Sequence, residues 1–295
     1  MRADLDTLLI AVYCAACALF PADPKPRRGR PEKITDNELI TLIVAQMLLG
    51  HPSERGFLPV AAWRLGHLFP RLPAQSTYNE RCRLLAPKLV VLWRAIAREL
   101  PGFNDGLCLL DTTPLPCGQS TATVTRSELA PWCAFGWSAA HSRYFWGMRL
   151  VLLCGADGTI RDFDLVPANT PEREAALVLL ERQPLQGQLV ICDKGFAGEE
   201  FEQAVATLGA IVLRPSRADE PQRPSPPIGF IRQRIKSIVQ TLKGQLRLEH
   251  HLARTPAGLL ARITASSASN AGSGSGSERA RAAEEEEAAM KARSR

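Results

Sequence analysis

Gly106-Leu-Cys-Leu-Leu-Asp111-Thr-Thr-Pro114 is a short apolar run that stops at a carboxylate, and Gln188-Leu-Val-Ile-Cys-Asp193-Lys-Gly195 is a second. Apolar runs of about four to eight residues bounded by Gly and Pro predict buried strands, because they are too short for a typical helix. A buried carboxylate needs a metal, a cation or backbone donors, since desolvating an unpaired charge is costly. Two such strands side by side would place both aspartates where Mg²⁺ could bridge them.

The composition is that of a basic protein with a sizeable core. The chain has 295 residues, is 45% hydrophobic and carries a formal net charge of +6. That length leaves room for two modest domains, and the basic excess favours a polyanionic partner. No apolar stretch approaches the roughly 20 residues of a membrane-spanning helix. The apolar opening after Asp4 and Asp6 lacks a basic leader, so we expect a helix there and a cytoplasmic protein without a membrane partner.

The eight cysteines do not indicate a disulfide framework. Cys14 and Cys17 form a C-x-x-C, which could be half of a zinc site or a redox pair. Its surroundings are apolar, and neither a second C-x-x-C nor a His pair follows at zinc-site spacing. Small buried thiols are therefore the expected structure.

Residues 1–100 are expected to form a helical domain. Thr35-Asp-Asn-Glu38 is a capping-box pattern that opens a long apolar stretch. The segment 26–33 just before it is basic, and its Arg28 and Arg30 could lie in a narrow DNA minor groove. A solvated basic linker is equally compatible with this composition. The same two alternatives, phosphate contact or ordinary helical surface, apply to the later cations Arg81, Arg83, Lys88, Arg94 and Arg98.

Residues 101–265 alternate between strand-like and helix-like segments, which predicts an α/β domain with a mixed sheet flanked by helices. Beyond the two runs that end at Asp111 and Asp193, the expected elements are a hairpin of 146–154 with 159–165, a helix capped by Thr170, a helix near 199–208, a strand at 210–214 and a basic helix at about 230–250. From residue 266 the chain becomes rich in Ser, Gly and charge, so we expect 266–295 to be a disordered tail.

Several blocks of this sequence, taken in order, resemble the signature blocks of DDE transposases from bacterial insertion sequences. The resemblance is closest to the insertion sequence 982 family and runs from roughly residue 35 to 263. The blocks that carry it are Leu110-Asp-Thr-Thr-Pro-Leu-Pro116, Ser142-Arg-Tyr-Phe-Trp-Gly-Met-Arg-Leu150, Leu165-Val-Pro-Ala-Asn-Thr-Pro-Glu-Arg173 and Cys192-Asp-Lys-Gly-Phe-Ala-Gly198. The resemblance implies an RNase H-like catalytic domain that follows a helical DNA-binding domain.

The third block of these transposases departs from the family pattern in this chain. The pattern places Arg, then Glu four residues later, then Lys seven residues after that, on one helix. Arg232 and Lys243 hold the outer positions, but Lys236 occupies the position of the glutamate. An ammonium there contributes no metal ligand and repels a cation, so we predict a folded protein with little strand-transfer activity. Glu249 lies more than three helical turns beyond, too far to replace the missing ligand.

The resemblance implies a transposase that cleaves and joins DNA with Mg²⁺ or Mn²⁺. Asp111 and Asp193 would ligate the metal, while Arg28, Arg30, Arg232 and Lys243 would contact phosphates. The implied partners are double-stranded DNA, as terminal inverted repeats and as target, and a second copy of the chain in a homodimer on DNA. Two alternatives stay open, namely a degenerate remnant that binds DNA without cutting it and a nuclease that cuts without joining.

Some residues have an ordinary structural interpretation beside the functional one. Either aspartate alone could be a turn or cap residue, and the functional interpretation depends on their occurring together. His250 and His251 are adjacent on the predicted basic helix, so a surface pair is favoured over a metal site. An aromatic group could stack on an exposed base or pack in the core, and its members are Trp132, Trp137, Tyr144 and Trp146.

Overall fold

A helical region precedes an α/β domain in this protein. The computed structural model describes residues 4–21, 32–138, 142–218, 220–221, 229–244, 248 and 251–271. Within those ranges, no helix combines the length and the hydropathy that crossing a membrane requires. The predicted helical N-terminal region is confirmed, and its helices are α1 Leu5–Leu19, α2 Asp36–Leu48, α3 Glu54–Arg64, α4 Gln75–Leu84 and α5 Ala86–Glu99.

Helix α2 is the centre of the N-terminal region. The Thr35 hydroxyl accepts a hydrogen bond from the Glu38 amide, and the Glu38 carboxylate accepts one from the Thr35 amide at 2.7 Å, which is the predicted capping box. Every residue from 39 to 47 is buried, because α2 packs against helices on several sides. A helix that is apolar around most of its circumference must lie inside the bundle.

The α/β domain is built on a curled six-stranded mixed sheet within the described residues. Its strands are β1 Leu107–Gly118, β2 Ala134–Ser138, β3 Arg143–Gly155, β4 Ile160–Pro167, β5 Leu189–Ile191 and β6 Ile211–Leu213. Strand β3 is antiparallel to β1, β2 and β4, whereas β1, β5 and β6 run parallel. The predicted hairpin of β3 and β4 is confirmed.

Helices cover both faces of the sheet. Buried residues of α7 (Glu172–Leu180) and α8 (Glu199–Thr207) pack on one face, and those of α9 (Gly229–Lys243) and α10 (Pro256–Ala271) pack on the other. A short helix, α6 (Thr121–Arg126), links β1 to β2. The predicted α/β class is therefore confirmed, and the architecture agrees with the RNase H-like domain that the resemblance implies.

Strand β1 does not end at Asp111, as the apolar run predicted, but continues to Gly118. Its second half pairs with β3, so the backbone stays extended although the apolar run is over. Pro114 and Pro116 are tolerated there because the pairing of β1 with β5 stops at Leu109. The predicted cap of α7 is also wrong by one residue, since Pro171 rather than Thr170 is the N-cap.

The predicted tail does not begin at residue 266, because α10 continues to Ala271. Ser266 and Ser267 are buried in this helix. Small side chains allow α10 to approach α2 and α5 closely, and composition alone does not distinguish such a helix from a linker. Helix α10 also contributes Ala265 to the N-terminal core and Ile263 to the core of the α/β domain. Residues 272–295 of the predicted tail lie outside the described residues.

Candidate active site

Strands β1 and β5 place Asp111 and Asp193 at the same level of the sheet. The strands are parallel neighbours in which Leu109 pairs with Ile191. Each aspartate lies two residues beyond its member of that pair. Side chains two residues apart on an extended chain point to the same face, so both carboxylates lie on the face of Leu109 and Ile191. Leu109 and Ile191 belong to the core that packs against α9, and the aspartates therefore lie on the α9 side.

Backbone amides orient both carboxylates. Asp111 Oδ1 accepts a hydrogen bond from the Thr112 amide at 2.8 Å. Asp193 Oδ1 accepts one from the Gly195 amide at 2.7 Å and so caps the 3₁₀ turn Lys194–Phe196. Both aspartates are half-buried, which lets them be held in place while remaining accessible to a ligand.

Asp111 and Asp193 line one cleft of about 670 Å³. Arg149, Lys194 and Arg217 also line it, so three cationic side chains share the cleft with the two carboxylates. Glu172 lies in the same cleft, and its carboxylate forms an ion pair with Arg149. Arg149 and Glu172 lie within the quoted sequence blocks, but the sequence analysis gave them no site role, because their contact joins β3 to the start of α7 and leaves no local pattern.

The donor set of the cleft fits a hard divalent cation only in part. Two carboxylates that converge from neighbouring strands offer the oxygen ligands that Mg²⁺ and Mn²⁺ prefer. Across the described ranges, no group of three or more His, Cys, Asp or Glu side chains is arranged to hold a metal ion. The carboxylates of Asp111 and Asp193 are thus the oxygen donors that this cleft offers to a cation, beside the ion-paired Glu172.

Helix α9 places Lys236 beside Asp111. The side chains of Ile235, Ile238 and Leu242 are buried and fix the helix on the sheet. A neighbouring face of α9 borders a cavity of about 410 Å³, and the residues that line this cavity are Asp111, Lys236, Val239, Gln240, Lys243 and Gly244. The position where the resemblance predicts a glutamate therefore shares a cavity with Asp111, and it bears the exposed ammonium of Lys236.

The predicted phosphate contacts are only partly visible. Arg28, Arg30 and Glu249 lie outside the described residues. For Arg232 the structure describes only the backbone, which is part of α9. Lys243 is half-buried and lines the cavity beside Asp111.

Some of the cations considered for phosphate contact form ion pairs within the protein. Arg81 and Lys88 each contact Asp36 at 2.8 Å, and Arg94 contacts Asp162 at 3.0 Å. These ion pairs connect elements of the fold, which favours the structural interpretation of these three residues. The DNA-binding interpretation of the N-terminal region therefore depends on other side chains.

A second polar group, formed by two cysteines and a histidine, lies near the end of β1. His251 is buried rather than on the surface, and its Nε2 lies 3.1 Å from the Pro116 carbonyl oxygen. A hydrogen bond from Cys133 and the nearby His251 lower the pKa of the Cys117 thiol to about 5. The same hydrogen bond raises the pKa of Cys133.

Cys14, in contrast, is exposed on α1, so the prediction of buried thiols is wrong for that residue.

We expect Cys117 to react with iodoacetamide almost equally fast at pH 6 and pH 8. Its pKa is depressed, so the reactive thiolate is present above about pH 5 and is lost only as the pH falls through that value. An ordinary thiol would slow by roughly 75-fold over the same interval. Peptide mapping after alkylation measures the rate, and Cys117→Ser identifies the peptide. A rate for Cys117 that falls as steeply as that of a free cysteine would contradict the assignment, and His251→Gln should make the rate more pH-dependent.

Comparison with known proteins adds family membership to this geometry. A family model described as the transposase DDE domain matches residues 103–269, which is more than half of the chain. The comparison with curated proteins found no match. The matched region contains both aspartates, the whole sheet and α9. Transposases of this kind act on DNA and use divalent metal ions, and on this match the chain belongs to the DDE transposase family.

Proposed function

We propose that this chain is the transposase of a bacterial insertion sequence, of the insertion sequence 982 type. In this proposal it binds the terminal inverted repeats of the element and a target DNA. It cleaves the strand at the element ends and joins the freed 3′-hydroxyl to the target. The observation that carries the proposal is the position of Asp111 and Asp193, which share a face and a cleft on adjacent parallel strands.

The residues of the cleft would divide the chemistry among them. Asp111 and Asp193 would hold Mg²⁺ or Mn²⁺, which when bound activates the attacking oxygen and stabilises the leaving oxygen of an in-line displacement. Lys194 and Arg217 are exposed at the same cleft and would attract the phosphate backbone. Arg28, Arg30, Arg232 and Lys243 would contact phosphates further along the DNA.

The proposed domain boundaries are those predicted from the sequence, except that α10 continues to Ala271 and the tail cannot begin at residue 266. Residues 1–100 would form the DNA-binding domain, and the catalytic domain would begin at about residue 101. A homodimer would bring two such sites to the two ends of one element. Size-exclusion chromatography with light scattering, with and without DNA, tests the dimer; a monomer in both conditions would refute it.

A second candidate function is a DNA-binding remnant that no longer cuts. Lys236 favours it, because this ammonium lines the cavity beside Asp111 where the family pattern requires a carboxylate. The two candidates differ in one assay, which uses labelled duplexes taken from the DNA that flanks the gene. Binding with cleavage in Mg²⁺ or Mn²⁺ supports a working transposase, and binding alone supports the remnant. Absence of binding to these duplexes would refute both.

We expect Asp111→Asn and Asp193→Asn each to weaken Mn²⁺ binding by at least about tenfold, since loss of even a ligand-supporting group costs 10–100-fold. Isothermal titration calorimetry of the whole chain measures the affinity. Asp105→Asn is the matched control, because Asp105 is an exposed aspartate that does not line the cleft. Unchanged Mn²⁺ affinity in both cleft variants would show that these carboxylates hold no metal.

A further inference from the structure

Strands β2 and β3 carry an exposed aromatic pair at an outer edge of the sheet. Trp137 and Tyr144 are direct cross-strand partners, and their rings meet edge to face with centroids 4.9 Å apart. They are 48% and 73% exposed, and Phe135, two residues before Trp137 on the same face, is 62% exposed. Single exposed aromatic residues are common, but three neighbouring ones form a patch that typically marks a binding surface.

Burial separates these residues from the core aromatics. Trp146 is only 5% exposed and packs in the core beneath α9. Trp137 instead lines the cleft that contains Asp111 and Asp193. Trp132 is 55% exposed but does not line that cleft. Trp137 is therefore the member of the sequence-derived aromatic group that lines the cleft, and Tyr144 is its cross-strand neighbour.

Two polar side chains of the cleft that Trp137 lines have hydrogen-bonding atoms that a nucleotide could pair with. Ser138 and Arg149 line the cleft, and each has a buried atom, Oγ and Nε respectively, without a hydrogen-bond partner among the described residues. Leaving such atoms unpaired costs free energy, so a ligand that forms hydrogen bonds with them would bind more tightly. Exposed cations at Lys194 and Arg217 line the same cleft, and the exposed Arg143 is the cross-strand partner of Ser138. The region around Trp137 thus offers exposed aromatic rings, hydrogen-bonding groups and positive charge together.

We propose that Trp137 and Tyr144 stack on an unpaired nucleobase of the DNA strand that lies along the cleft. This inference rests on the proposed function, since it names how the same cleft grips its substrate. Stacking on aromatic rings is tolerant of base identity, because every base has a π-face. Tyr144 lies roughly 26 Å along β3 from Leu152, the partner of Asp111. The stacked base is therefore up to about eight nucleotides from the phosphate at the aspartates.

The test uses a DNA duplex with a single-stranded extension in which 2-aminopurine replaces successive bases. We expect binding of the whole chain to quench the fluorescence of 2-aminopurine at one or two neighbouring positions. Trp137→Ala and Tyr144→Ala should abolish that quenching and weaken binding of the extended duplex by roughly tenfold, with little effect on a blunt duplex. Trp137→Phe, which retains a ring, should preserve most of the quenching.

Trp132→Ala is the matched control, because it removes an exposed tryptophan of similar accessibility outside the cleft. Circular dichroism verifies that each variant is folded, and fluorescence anisotropy measures binding separately from quenching. Tight binding without quenching, or equal quenching by Trp137→Ala, overturns the stacking inference alone. Failure of the unmodified chain to bind any duplex overturns the proposed function as well.

Discussion

Replacing Lys236 by glutamate is expected to raise Mg²⁺-dependent cleavage of element-end DNA by roughly 10²-fold or more. The replacement removes an ammonium that repels a cation and adds a carboxylate that can bind one. A bound divalent ion contributes several kilocalories per mole of transition-state stabilisation, which corresponds to a rate factor of about that size. Cleavage of a labelled duplex by the two proteins, in Mg²⁺ and in Mn²⁺, measures the effect.

The geometry of α9 makes this gain plausible from one substitution. Position 236 lines the cavity beside Asp111, and the buried side chains of Ile235 and Ile238 hold the helix against the sheet. Arg234 also fastens α9, because its guanidinium donates a hydrogen bond of 2.8 Å to the Asp157 carbonyl oxygen in the β3–β4 turn. Lys236 is exposed, so a change of its side chain should leave the position of the helix intact.

Charge alone must be separated from metal ligation in this experiment. The double variant Lys236→Gln/Gln240→Glu has the same net charge as Lys236→Glu, but it places its carboxylate one turn further along α9. Gln240 lines the same cavity, so the double variant is a close control. Equal activity of the double variant and Lys236→Glu would mean that charge, not a ligand at position 236, limits the reaction. No gain in either protein would contradict the account of Lys236 altogether.

The sequence predicts the sheet and the meeting of the two aspartates because both depend on local patterns. Each apolar run is short and bounded by turn-forming residues, and parallel neighbouring strands are expected to bring such ends together. The length of β1 was not predictable in the same way. Residues after Asp111 remain extended because they pair with β3, and no local sequence pattern near Asp111 predicts that pairing.

The elements that were missed depend on contacts distant in the sequence. The ion pair of Arg149 with Glu172 joins two elements, and the pattern within either segment does not show that these residues pair. Burial of Ser266 and Ser267 depends on how α10 lies against the N-terminal helices, whereas their composition is typical of a linker. Strand β2 is only five residues long, so its pattern was too short to predict a strand.

The buried guanidinium of Arg161 in β4 ties together the segments that lead to the two aspartates. It is 4% exposed and donates hydrogen bonds to the carbonyl oxygens of Gly102, Asp105 and Leu107, which precede or begin β1. It also donates to the Gln188 side chain, at 2.7 Å, just before β5. One side chain therefore fixes the starts of both strands, and through them the register that aligns the carboxylates.

We expect Arg161→Met to lower the free energy of unfolding by roughly 3–5 kcal/mol, because it leaves several buried acceptors without a donor. Urea denaturation followed by circular dichroism measures the change. Arg182→Met is the matched control, since Arg182 forms a partly exposed ion pair with Asp164 and should contribute less than about 1 kcal/mol. Similar losses in the two variants would mean that the buried hydrogen bonds of Arg161 stabilise the fold no more than a partly exposed ion pair does. A much larger loss for Arg161→Met, accompanied by weaker Mn²⁺ binding, would connect the strand starts to the geometry of the carboxylate pair.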